Sequence, residues 1–280
     1  MGLKEILVTI AGFVGGFVSI LASNGSSVTL PALELFGLPE HVANGTNRLS
    51  VVALGLIGTI HFSREGLLDW RKGTWMAALI ALGTMVGSIA DVDISDAVLD
   101  AVVITGLFLV LGMLLLRPSH WLQGKGGALR PFGWGQAVAY FSIGVYAGLV
   151  VLGSGFFILA ALVLLSGYDL RHGNAMKAFI LLVVGMQSLF IFDDRGEVDW
   201  VAGVPLALGS ALGAYIAARL VTKAWMRVWV YRFLVLAVVL SIGYLIMTDS
   251  GKLLQVAYDD VCRTLACVLA PICTRWRLFT

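Results

Sequence analysis

Gly66-Leu-Leu-Asp-Trp-Arg-Lys-Gly73 and Gly196-Glu-Val-Asp-Trp-Val-Ala-Gly203 are one phrase written twice, 130 residues apart. A long apolar run accompanies each, at 75–90 in the first case and 199–221 in the second. Holding the same offset aligns Gly25 with Gly155, Gly37 with Gly167, Asn44 with Asn174 and Gly83 with Gly213, all without a gap. Coincidences among glycine, aspartate and tryptophan do not follow from composition, so the chain reads as two copies of one unit, about 1–118 and 132–250. Between them lies a polar, glycine-rich linker at 119–131 holding Lys125 and Arg130, and a tail follows at 251–280.

Composition names the solvent. The 280 residues are 59% hydrophobic and 13% charged, against about 25% charged in an ordinary soluble domain. Eight apolar runs (5–22, 49–62, 75–90, 97–116, 136–152, 175–192, 199–221 and 228–247) mostly approach the span of a lipid bilayer, which takes roughly 20 helical residues. The reading is all-α: a polytopic, multi-pass helical membrane protein of two homologous repeats, placed in the cell (inner) membrane. Lys4 ahead of the first run resembles a signal peptide. That run has a counterpart in the second copy, however, since Gly12 and Gly16 meet Gly144 and Gly148 after a two-residue shift, and it is read as retained. A net charge of +2 with scattered basic residues sets nucleic acid aside as a partner. The tail carries Asp259, Asp260 and Arg263 in its apolar stretch and is expected to form an interfacial or soluble helix rather than a crossing. Its Cys262, Cys267 and Cys273 match neither a zinc ribbon nor a redox pair.

Equivalent loops of the copies carry opposite charge. Arg64, Arg71 and Lys72 correspond to Asp193, Asp194, Glu197 and Asp199 around Arg195, while Asp91, Asp93 and Asp96 correspond to the region of Lys223 and Arg227. Basic loops prefer the cytoplasm, so the antisymmetry favours copies inserted in opposite orientation, as in many secondary carriers. Inversion needs an odd number of crossings per copy, which the short segment Ser26–Leu38 supplies if it spans with extended ends; if it dips and returns, four crossings make the repeats parallel.

Polar and helix-breaking residues crowd into Ala22-Ser-Asn-Gly-Ser-Ser-Val-Thr-Leu-Pro31 and Ala43-Asn-Gly-Thr-Asn-Arg48, and again into Leu152-Gly-Ser-Gly-Phe156 and His172-Gly-Asn-Ala-Met-Lys177. Irregular backbone at membrane depth must be buried in protein or line a cavity, and paired interruptions in two halves point to a carrier's binding site. Each break opens a helix whose N-terminus offers free amides and about half a positive charge. The expected site therefore suits a small anion and comprises Asn24, Gly25, Ser26, Asn44, Thr46, Asn47, Arg48, Gly153, Ser154, Gly155, Asn174 and Lys177. Arg48 and Lys177 are the candidates for the counter-charge, against the alternative that both snorkel to a headgroup region; Glu34 either pairs with Arg48 or marks a helix end. The Gly-xxx-Gly pairs at 12/16, 83/87, 144/148 and 209/213 read as close helix packing, and such small-residue faces are compatible with a homodimer. Tryptophans near helix ends, among them Trp70, Trp75, Trp121, Trp134 and Trp200, suit an aromatic belt.

The motifs of zinc peptidases, phosphate loops and nucleophile elbows are absent, and His41, His61, His120 and His172 stand singly. No enzyme activity, cofactor or metal is expected.

Pro31, Gly37-Leu-Pro39, Ala43-Asn-Gly-Thr46, the Gly66-Leu-Leu-Asp-Trp70 loop and Asn174-Ala-Met-Lys177 together resemble the sulfite exporter TauE/SafE family of membrane permeases, over residues 5–247. The resemblance implies an inner-membrane carrier of sulfite, sulfoacetate or related sulfonates. Here the first break reads Ser-Asn-Gly-Ser-Ser where a run of glycines is usual, and Asn47 stands where serine is frequent. The expected mechanism is alternating access to a site between the copies; the rival is a membrane-embedded scaffold or accessory subunit that moves nothing.

Overall fold

The computed structural model describes residues 2–89, 111–112, 114, 133–149, 154–223, 225–226 and 228–240. Every described element is an α-helix: α1 Leu3–Ala22, α2 Ser26–Phe36, α3 Glu40–Arg64, α4 Trp70–Ile89, α5 Trp134–Leu149, α6 Ser154–Leu164, α7 Leu170–Asp194, α8 Trp200–Val221 and α9 Val228–Leu240. Met1–Val239 form one compact unit; of a second, Leu240–Thr280, only Leu240 is described. The linker, the Asp91–Asp96 stretch, Trp121, the tail helix and the three cysteines all lie outside the described residues.

The twice-written phrase is a helix-turn-helix joint. Gly66 and Gly196 take left-handed backbone, φ +67° and +71°, just past the ends of α3 and α7, a conformation glycine adopts without a Cβ penalty. Three residues on, aspartate opens the next helix: the Asp69 carboxylate accepts from the Lys72 amide at 3.2 Å, and Asp199 accepts from Val201 and Ala202 at 2.8 and 3.1 Å. Trp70 and Trp200 are then the first helical residues and stand half exposed, as do most described tryptophans at helix ends.

Three described helices, Lys4–Ala22, Leu170–Asp194 and Trp200–Val221, are long and apolar enough to cross a membrane. Their outer faces are apolar: Phe190 is 75% exposed, Leu208 61% and Leu212 59%. Such continuous greasy surface is what lipid, not water, would cover. The protein is an integral membrane protein.

Glycine sets how the helices meet. A Cβ at Gly12 or Gly16 would fall on the carbonyl oxygens of Leu206 and Ser210, and one at Gly209 or Gly213 on those of Thr9 and Phe13, so α1 and α8 lie backbone to backbone and parallel. Gly83 and Gly87 meet Phe141 and Val145 while Gly144 and Gly148 meet Ile80 and Thr84, which makes α4 and α5 a second parallel seam. Gly12/Gly16 thus closes on Gly209/Gly213 and Gly83/Gly87 on Gly144/Gly148. At the centre, Gly55 touches Leu182, Gly58 touches Ala178 and Gly185 touches Val51 and Val52, so α3 and α7 cross antiparallel. α8 runs parallel to α3, joined by the Ser50 and Ser210 hydroxyls at 2.6 Å, with Ser210 also donating to the Gly12 carbonyl at 3.1 Å.

The short helices turn back. Gly25 packs on Gly15, Leu33 shares a core cluster with Val8, and Lys4 stands 5.6 Å from the centre of the Phe36 ring, so α2 descends alongside α1. α6 does the same along α5, where Tyr140 and Ser166 hydroxyls meet at 2.8 Å and Gln136 donates to the Leu165 carbonyl at 2.9 Å.

These directions sort the charges by end. At the end where α1, α3 and α8 start, the described residues hold seven carboxylates (Glu5, Glu34, Glu40, Asp193, Asp194, Glu197, Asp199) against Lys4 and Arg195. At the opposite end Arg64, Arg71, Lys72, Arg171, Arg219 and Lys223 stand, among the described residues, with Glu65, Asp69 and Asp169.

Candidate functional site

The two hairpins, α1–α2 and α5–α6, meet tip to tip inside the protein. α1 stops at Ser23, the one described non-glycine residue with positive φ (63°), whose amide closes back on the Ser19 carbonyl at 3.0 Å. Left-handed backbone costs such a residue roughly 1–2 kcal/mol, and it persists because the turn is held from both sides. From the start of α6, Gly155 presses on the Ser23 carbonyl so closely that a Cβ would overlap it. From within the fold, the Lys177 ammonium donates to the Ser19 carbonyl at 2.9 Å, the Ser23 hydroxyl at 2.8 Å and the Asn174 side-chain oxygen at 2.8 Å. Lys177 is fully buried, and with the Ile20 carbonyl at a longer 3.5 Å its three protons meet four acceptors.

Between the tips is a polar cavity of about 40 Å³. Ser19, Ser23, Asn24, Ser26 and Ser154 line it together with the Gly25 and Gly155 backbone, and Val51, Ile158, Leu181 and Val184 close it. α2 and α6 both begin here. Gly25 caps α2 with no side-chain hydrogen bond, so no side chain caps the first amides of that helix. Arg48 supplies the cationic wall. It is 5% exposed, its guanidinium carbon sits 5.3 Å from the centre of the Phe192 ring, and its Nε has no hydrogen-bond partner among the described residues. Among those residues no carboxylate lies within bridging distance of it; Glu34 is exposed on α2 at the acidic end.

The expected site residues separate into groups. Asn24, Gly25, Ser26, Arg48, Ser154 and Gly155 are brought together around the cavity. Asn47 backs it, donating to the Ser26 hydroxyl at 3.3 Å and accepting from Thr29 at 2.7 Å, which anchors α2 to α3. Asn174 and Lys177 brace the first tip from behind. Thr46 lies elsewhere, accepting from the Asp199 amide at 2.9 Å to hold the α7–α8 joint, and Asn44 does not line the cavity. Gly153 lies outside the described residues. Sequence reasoning leaves out Ser19 and Ser23. The signal available was that Ser23 opens the polar break at the end of α1, with Ser19 one turn before it in the same helix.

The profile of the family described as sulfite exporter TauE/SafE matches residues 8–245. The chain belongs to the sulfite exporter TauE/SafE family. It is similar to a "Probable membrane transporter protein ORF9" of Sinorhizobium sp, 27% identical over 217 residues that cover 75% of this chain and 80% of the relative. A "Probable membrane transporter protein" of Haemophilus influenzae is 28% identical over 211 residues, 75% and 82% of the two chains. The "Probable membrane transporter protein YfcA" of Escherichia coli K12 is 27% identical over 213 residues, 74% and 77% of the two. No solved structure matches the chain. Membership of TauE/SafE places it among membrane transporters rather than enzymes.

Proposed function

We propose that this chain is a multi-pass carrier of the inner membrane that moves a small anion, sulfite or an organosulfonate, by alternating access between its two copies. The observation that carries this reading is Arg48: a buried guanidinium with no carboxylate partner among the described residues, on the wall of a cavity at which two short helices begin. A desolvated charge left alone costs several kcal/mol, and a bound anion would remove that cost. Helix N-termini add about half a positive charge each and amide donors that need no counter-ion. The family's name supplies the choice of a sulfur anion.

The antiparallel crossing of α3 and α7, and the opposed courses of α1 and α5, support reading the copies as inverted repeats. The excess of cations at the end holding Arg64, Arg71, Arg171 and Arg219 supports placing that end in the cytoplasm, with the N-terminus outside. An inside-negative potential then drives a monoanion outward with about 2.3 kcal/mol per 100 mV, without a coupling ion.

The cavity's size favours the rival scaffold, since 40 Å³ has room for only a few waters at the ~10–15 Å³ that each one needs. In the carrier reading this is the closed arrangement, with the tips touching at Gly155 and Ser23, and substrate enters when they part. Anion flux in proteoliposomes decides. Saturable flux of sulfite or sulfoacetate over a chloride control, lost in Arg48→Ala with the fold intact, is the expected result. Absence of flux for any anion at either polarity would leave the scaffold.

A further inference from the structure

A second basic feature lies away from the helix breaks. Where α3 and α8 end, His61, Arg64, Arg219, Thr222 and Lys223 surround an open pocket of about 690 Å³, with Tyr215 and Ile216 at its rim. Three fixed cations converge on it against a single carboxylate, Glu65, which is itself engaged by Arg171 at 3.9 Å. A cation in the last turn of a helix compensates that helix's dipole, which accounts for Arg64 on α3 and Arg219 on α8. It does not account for Lys223 beyond α8, and the buried Nε2 of His61, in the last turn of α3, has no hydrogen-bond partner among the described residues.

The surface leading to the pocket selects the ligand. Leu56 and Ile60 on α3 and Leu208, Leu212 and Ile216 on α8 are each 41–61% exposed and run along two parallel, adjacent helices toward the basic end. An oxyanion in the pocket would thus sit at the head of an apolar track. The Arg219 guanidinium carbon lies 4.6 Å from the centre of the Tyr215 ring, which leaves its planar edge to form a paired contact with phosphate oxygens.

We infer that this pocket is a binding site for the phosphate headgroup of an anionic phospholipid, with an acyl chain along the α3–α8 track. The site is independent of the transport reading, since none of its residues lines the cavity at the hairpin tips. Basic pockets between membrane helices hold such headgroups, each cation contributing roughly fivefold in affinity, so removing two weakens binding roughly thirtyfold.

The test is native mass spectrometry of the full-length protein from detergent, titrated with phosphatidylglycerol or phosphatidylcholine. The variants are Arg219→Gln/Lys223→Gln and a control, Arg71→Gln/Lys72→Gln, which removes two cations from the same end outside the pocket. We expect one phosphatidylglycerol retained in preference to phosphatidylcholine, its affinity reduced roughly thirtyfold in the first variant and little in the second. Equal retention of both lipids, or equal loss in both variants, overturns the site. Thermal shift with inorganic phosphate or sulfite alone separates the sources: stabilisation that the Arg219/Lys223 variant loses would assign the pocket to a free anion and overturn the lipid.

Discussion

Arg48 and Lys177 are the two cations buried in the described fold, and they are opposites. Lys177 is surrounded by acceptors, a helix-end carbonyl, a hydroxyl and an amide oxygen, and its charge is spent holding the first hairpin tip in place. Among the described residues Arg48 has the face of Phe192, a cavity beside it and no acid within bridging distance. Burial alone therefore does not identify a ligand-binding cation. What identifies it is the part of its hydrogen-bonding capacity that the protein leaves unspent.

The largest expected effect is on transport. Arg48→Ala lowers anion flux by a hundredfold or more, corresponding to about 3 kcal/mol for losing one partner of a buried charge pair, while thermal unfolding in detergent holds or rises because a desolvated charge is gone. Flux unchanged by this substitution would break the contrast. Next comes Lys177→Met, which strands the Ser19, Ser23 and Asn174 acceptors and lowers stability by about 2–4 kcal/mol; flux per folded molecule persists. Stability intact with flux abolished would exchange the roles of the two cations. Asn47→Ala releases α2 from α3 and costs about 1–2 kcal/mol, raising the half-saturating anion concentration more than it lowers maximal flux, as initial-rate curves would show. The smallest effect belongs to Ser23→Ala, which removes one of four acceptors from Lys177 and costs about 1 kcal/mol; a change in unfolding beyond that would mean that the hydroxyl has a second partner.

The glycines make the converse point. Gly12/Gly16, Gly83/Gly87, Gly144/Gly148 and Gly209/Gly213 are legible as close-packing faces from spacing alone, because only a missing side chain lets backbones touch. Which face meets which is not legible: all four pairs have the same chemistry, and only assembly matches 12/16 with 209/213 and 83/87 with 144/148. The repeated Gly-x-x-Asp-Trp phrase is equally readable as a joint, whereas Thr46, inside the polar segment before Arg48, looks like a site residue and instead holds the α7–α8 joint through the Asp199 amide. A hydroxyl carries no mark of the direction in which its partner lies.

Composition and periodicity by themselves determined that this chain belongs in lipid, that its Gly-x-x-Asp-Trp phrase occurs twice, and that polar, helix-breaking residues interrupt its apolar runs. Those properties reside in local polarity, residue spacing and backbone freedom, which each segment carries wherever it is placed. Tertiary structure decided that the two breaks meet tip to tip, that α2 turns back along α1, that Lys177 is consumed by the turn it supports, and that Arg48 is left facing the cavity. The availability of a buried charge depends on acceptors brought from 154 to 158 residues away in the chain, and no local pattern specifies that distance.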